Sequence, residues 1–223
     1  MRKLSFFIVT AWFIGFSSTP VYASQQQTSN NTAGDKTPVI LILGDSLSAA
    51  YGIERSNGWV NLLQQRLSNN QYSYHVVNAS ISGETTQGGL QRLPALLTKH
   101  QPALVILELG GNDGLRGLDI EMIKSNLQSM ISRVISTHTR VLLLGIHLPP
   151  NYGKAYTDRF AQIYVDLGKH NKIPVVPFLL AGIATDEDLM QRDDIHPTAE
   201  AQALVLKNVW SKLEPLLKQM SAK

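Results

Sequence analysis

Ser46 stands in the string GDSLS, and an aspartate and a histidine three residues apart, Asp193 and His196, stand in DDIHP near the other end of the chain. Serine becomes a useful nucleophile only when a general base takes its proton, and an imidazole base needs a carboxylate to fix its tautomer and stabilise its charged form. A serine after Gly-Asp, taken alone, caps a helix as readily as it attacks a substrate; the Asp-x-x-His pattern supplies its partner. Pro197 follows His196 and keeps its backbone extended at a helix entrance. A short turn then brings the Asp193 carboxylate to Nδ1 and leaves Nε2 facing the serine. Asp194 is the competing orienter, adjacent in sequence and expected to project the other way. His75, His100, His138, His147 and His170 have no carboxylate at a comparable spacing and read as surface or helix-end residues.

Serine attack on an acyl carbonyl puts negative charge on oxygen, and that charge needs donors fixed in advance. Gly83 of ISGETT offers an N–H that no side chain blocks, Asn112 of GGND offers a side-chain amide, and Ser46 offers its own N–H. Each reads innocently by itself, Gly83 as a turn glycine and Asn112 as an Asx turn. Each also lies about one strand–helix unit beyond the one before, so one sheet edge can gather all three.

The elements that must do this gathering are visible as alternation. Apolar runs at 39–43, 73–78, 103–109, 140–146 and 174–178 read as strands, and amphipathic stretches at 58–69, 85–99, 119–138 and 156–171 as helices, with a last helix after Pro197. VILIL and ALVILEL are apolar at nearly every position, as strands buried on both faces must be. The expected fold is therefore α/β: a three-layer α/β/α sandwich around a five-stranded parallel sheet, flavodoxin-like in shape, in one domain over 37–220. Ligands of such sheets sit beyond the carboxyl ends of the strands, where the four candidate loops converge. Leu115, Leu118 and Ile120 after Asn112, and Leu148, Pro149, Pro150 and Tyr152 after the fourth strand, are candidates for an apolar substrate wall.

Composition narrows the chemistry further. The 223 residues contain no cysteine, which removes disulfides, thiolate zinc sites and a cysteine nucleophile. A formal charge of +3 is too small for a nucleic-acid partner. Arg2 and Lys3 precede an apolar stretch over 4–16, and Val21, Tyr22 and Ala23 supply a small-x-small cleavage pattern. Residues 1–23 thus read as a signal peptide, too short to span a bilayer, and 24–36 as a flexible polar leader. Cleavage after Ala23 leaves 200 residues with a formal charge of +1, destined for the periplasm or, alternatively, the medium. A Walker loop, a His-Glu-x-x-His site, an EF-hand, a Gly-x-Ser-x-Gly elbow and a dinucleotide fingerprint are all missing from the sequence.

Taken together and in order, GDSLS, ISGET, GGND and DDIHP resemble the four signature blocks of the SGNH (GDSL) hydrolases, over about residues 38–215. LPPNYGKAY adds a likeness to that family's multifunctional acyl-CoA thioesterase I/protease I/lysophospholipase members. The resemblance implies Ser46 as nucleophile, Asp193 and His196 as its relay, and Ser46, Gly83 and Asn112 as oxyanion donors. It implies a serine esterase acting on lysophospholipids, fatty acyl thioesters and aryl esters through an acyl-enzyme. No metal and no organic cofactor is implied, and a monomer is expected. A carbohydrate O-acetylesterase, or a non-catalytic flavodoxin-like binding domain, is the alternative reading.

Overall fold

Three of the five strands pair through apolar registers at the middle of the sheet. In the computed structural model, which describes residues 37–222, β1 (Val39–Gly44), β2 (His75–Asn78), β3 (Leu104–Glu108), β4 (Arg140–Leu144) and β5 (Val175–Val176) form one parallel sheet in the order β2-β1-β3-β4-β5. The expected signal peptide and leader, 1–36, lie outside the described residues. Side chains alternate between the two faces of each strand. Ile40, Ile42, Leu104, Ile106, Leu142 and Leu144 enter one apolar cluster, while Leu41, Leu43, Val105, Leu107, Val141 and Leu143 enter the other. α1 (Trp59–Asn69) and α6 (Gln202–Ser221) close the first cluster; α2 (Thr86–His100), α4 (Ile120–Ser136) and α5 (Lys154–Asn171) close the second. The three expected layers are present.

The differences from the sequence reading are local. The GGND stretch is a five-residue helix, α3 (Gly111–Leu115), where a loop is expected. β5 keeps two paired residues of the five expected, its role on the sheet edge being short. The last helix begins at Gln202, because the residues after Pro197 first pass through a turn.

Topology fixes where a site can form. The chain leaves β1 for one neighbour, β2, and returns to the other, β3, so the crossovers from β1 and β3 diverge and open a crevice at their carboxyl ends. Gly44 and Glu108 are register partners at that end. A Cβ on Gly44 would stand 2.7 Å from Glu108 Oε2 and 2.9 Å from Ser48 Oγ, so only glycine lets these groups meet at the base of the crevice.

Candidate active site

Ser46 follows Gly44 and Asp45 in a turn closed by Ala49 N–H to Asp45 O (2.9 Å) and Tyr51 N–H to Ser46 O (3.2 Å). Its Oγ lies 2.8 Å from His196 Nε2, and His196 Nδ1 lies 2.6 Å from Asp193 Oδ2. Asp193 Oδ1 also accepts the N–H groups of Ile195 and His196, both at 3.0 Å. Burial alone would push the Asp193 carboxyl up, but the hydrogen bonds from the His196 ring and these two N–H groups outweigh it and hold it below the usual carboxylate range. Asp194 has φ +56° and its N–H goes to Gln191 O at 3.0 Å; its carboxylate plays no part in the chain that runs to Ser46.

The loop that carries Asp193 and His196 is a narrow antiparallel excursion, pinned by a Met190–Pro197 bridge, Gln191 N–H to His196 O (2.7 Å) and Thr198 N–H to Leu189 O (2.8 Å). Gln191 was not a candidate from sequence. Its Nε2 donates to Pro197 O (3.0 Å) and across to Tyr51 O (2.9 Å), tying the histidine loop to the serine loop. Tyr51 also lays its ring on the His196 imidazole, 4.5 Å between centroids.

Gly83 has φ +81°, and nothing lies within 4 Å of where a Cβ would be. Glycine is required by conformation there, not by crowding. Among the described residues the N–H groups of Ser46 and Gly83 donate to no other protein group. Both hydrogens of the Asn112 amide are directed, one to Asp45 Oδ2 and one to Glu84 O, each at 3.0 Å. The two donor loops are stapled together: Asp113, fully buried, accepts Thr86 N–H (2.9 Å) and Thr86 Oγ1–H (2.6 Å), and Asn126 donates to the same hydroxyl (3.0 Å).

A cleft of about 620 Å³ opens over Ser46, His196, Gly83 and Asn112. Leu115, Leu148, Pro149 and Pro150 line it as the sequence proposed, joined by Tyr51, Phe178, Leu180, Ala184, Met190 and Ile195. Leu118 and Ile120 instead pack on the core under α4, and Tyr152 lies outside the lining with its hydroxyl on Leu115 O at 2.9 Å. His147, read from sequence as a surface residue, lines the cleft stacked flat on Phe178, with ring centroids 4.1 Å apart and planes 2° apart. Its burial pushes the imidazole pKa down, so this wall is neutral and planar.

Comparison with known proteins shows likeness to acyl hydrolases. A family model described as the GDSL-like Lipase/Acylhydrolase family matches residues 42–204. The chain is 52% identical over 178 residues to "Esterase TesA" of Pseudomonas aeruginosa, covering 80% of this chain and 89% of that protein. It is 43% identical over 178 residues to "Thioesterase 1/protease 1/lysophospholipase L1" of Escherichia coli K12, covering 80% of this chain and 84% of that one. A crystal structure of the psychrotrophic esterase EstA from Pseudoalteromonas sp., inhibited by monoethylphosphonate, superposes with a TM-score of 0.77 at 39% identity, covering 81% of this chain and 98% of that one.

Proposed function

The chain belongs to the GDSL-like lipase/acylhydrolase family, and on that premise we propose that it is a serine esterase whose substrates are apolar acyl esters and thioesters: lysophospholipids, fatty acyl thioesters and aryl esters. The observation that carries this is the unbroken contact line from Asp193 through His196 to Ser46 at 2.6 and 2.8 Å, under a cleft walled mostly by apolar side chains.

His196 Nε2 takes the proton of Ser46 Oγ as the oxygen attacks the acyl carbon, and Asp193 holds Nδ1–H so that Nε2 faces the serine unprotonated. The carbonyl π electrons move onto oxygen. That oxyanion is held by the N–H groups of Ser46 and Gly83, and it competes with Glu84 O for the second amide hydrogen of Asn112. His196 Nε2–H then protonates the departing alcohol oxygen or thiol sulfur, and the acyl-enzyme is left. Water, deprotonated by the same nitrogen, attacks the acyl carbon; the bond to Ser46 Oγ breaks, His196 returns the proton to that oxygen, and the acid is released. Every step uses groups of the chain and water.

The apolar lining, with Leu115, Leu148, Pro149, Leu180 and Met190, favours an acyl chain over a sugar. The proposal extends to location: residues 1–23 direct export and are removed, which puts the enzyme in the periplasm, or alternatively the medium, away from cytosolic acyl-CoA and beside lipid esters. The test is a panel of p-nitrophenyl esters of rising chain length, a lysophospholipid and an acetylated sugar, each with and without a serine-reactive phosphonate. Preference for medium or long chains, loss of activity with phosphonate and inactivity of Ser46→Ala are the expected results. Hydrolysis confined to acetyl groups would favour the carbohydrate esterase, and undiminished turnover by Ser46→Ala would end the serine mechanism.

A further inference from the structure

Two carboxyl groups are buried side by side beneath the nucleophile, and the reaction just described uses neither. Asp45 is 2% exposed and Glu108 fully buried, and neither joins an ion pair among the described residues. Glu108 Oε2 accepts Asp45 N–H (3.1 Å) and Ser48 Oγ–H (2.8 Å), while Oε1, wholly buried, has no donor to accept from. Asp45 is better supplied: Oδ1 accepts Leu47 N–H (3.0 Å) and Oδ2 accepts the Asn112 amide (3.0 Å). Asp45 N–H on Glu108 Oε2 makes the two acids immediate neighbours, and a hydrogen bond between their carboxyl groups would supply Oε1 with the partner it lacks. Two carboxyl groups can share such a bond only if one carries a proton, and two adjacent buried anions without a cation are not sustainable at neutral pH.

We propose that Glu108 is a neutral carboxylic acid at neutral pH, that its proton bridges to Asp45, and that it is thereby a positioning residue for the oxyanion site. The inference rests on the reading of Ser46 and Asn112 given above. Glu108 is the natural holder of the proton because its free oxygen gains an acceptor by having it, whereas both Asp45 oxygens already receive hydrogens. Protonated, Glu108 leaves Asp45 as a single anion that pulls one Asn112 amide hydrogen downward and so presents the Nδ2 group to the cleft. Ionised, it would add a second negative charge under the place where the substrate oxygen becomes negative. Burial pushes Glu108 well above the ordinary carboxyl range and Asp45 up to about 6, the direction that a retained proton requires. The other titratable groups near the pair are Asp113 of α3, Tyr164 of α5 and His196 on the histidine loop. Tyr164 is itself held neutral, far above its usual range, by burial and by these carboxylates.

The experiment is carbon-13 NMR of the protein labelled at the glutamate carboxyl carbon, read across neutral pH, together with steady-state kinetics of Glu108→Gln and Glu108→Leu. One glutamate resonance stays at the protonated position where the others are ionised, and Glu108→Gln deletes it. Glu108→Gln, which still accepts from Asp45 N–H and Ser48 and donates to Asp45, keeps kcat within an order of magnitude of wild type; Glu108→Leu lowers kcat while KM changes little. A wild-type spectrum with every glutamate ionised at neutral pH overturns the proposal, whether or not the variants fold. So does a Glu108→Gln enzyme as impaired in kcat as Glu108→Leu. The resonance does not depend on turnover, so a failure of the esterase reading, seen with Ser46→Ala, leaves a separate signature.

Discussion

A single donor in the oxyanion site makes the sharpest residue-scale test. Asn112→Ala removes an amide that both Asp45 and Glu84 hold in place, and loss of one such preorganised donor costs about 3 kcal/mol of barrier, or roughly 10²–10³ in kcat. The expected outcome is a kcat lowered to that extent with KM little changed, measured on a p-nitrophenyl ester; a variant within a few-fold of wild type would remove Asn112 from the site. Ser46, Asp193, His196, Gly83 and Asn112 were legible in the sequence because each stands in a short string whose residue types have one joint chemical use. His147, Phe178 and Gln191 were not. A histidine stacked on a phenylalanine thirty-one positions away, or an amide bridging two loops, has no local spacing to betray it, and only the fold makes the pairs neighbours. Leu118 misled for the opposite reason: an apolar residue after Asn112 serves a cleft or a core equally well, and the turn into α4 decides for the core.

At the scale of elements, the site is held by polar staples between loops. Thr86 and Asp113 join the start of α2 to α3 and so fix the spacing of the Gly83 and Asn112 loops. Thr86→Val keeps the shape and deletes the hydroxyl, leaving a fully buried Asp113 oxygen without its 2.6 Å partner; stranding a buried acceptor in this way costs on the order of 1–3 kcal/mol. Denaturant unfolding should read a loss of that size, and an unchanged midpoint would mean that the staple carries no load. The strands themselves were readable because β1 and β3 are apolar on both faces. β5 was overread: the run over 174–178 is apolar, but pairing stops after Val176, and the next backbone donor to return to the end of β4 is Leu179 N–H, on Gly145 O at 2.8 Å.

For the whole molecule, the Asp45–Glu108 pair couples folding to pH. Each carboxyl has a folded pKa raised above its unfolded one, so the stability of the protonated form is fully present below about 4 and is lost as pH rises through the raised values. Asp193, held low, has the opposite sign and weakens the fold only in acid. The stability of Glu108→Gln relative to wild type should therefore climb with pH above 4.5, the ordinary glutamate value, by up to about 1.4 kcal/mol per pH unit. Thermal or urea unfolding at several pH values measures it, and a pH-independent difference between the two proteins would contradict the shared proton.

Ser46 and His196 are 150 residues apart in sequence, and the histidine loop is built only after every strand of the sheet has been made. A chain still emerging from the ribosome holds its hydroxyl without its base. The hydroxyl stays without its base until that final stretch docks, so the return of turnover is a clock for the docking of the histidine loop during refolding.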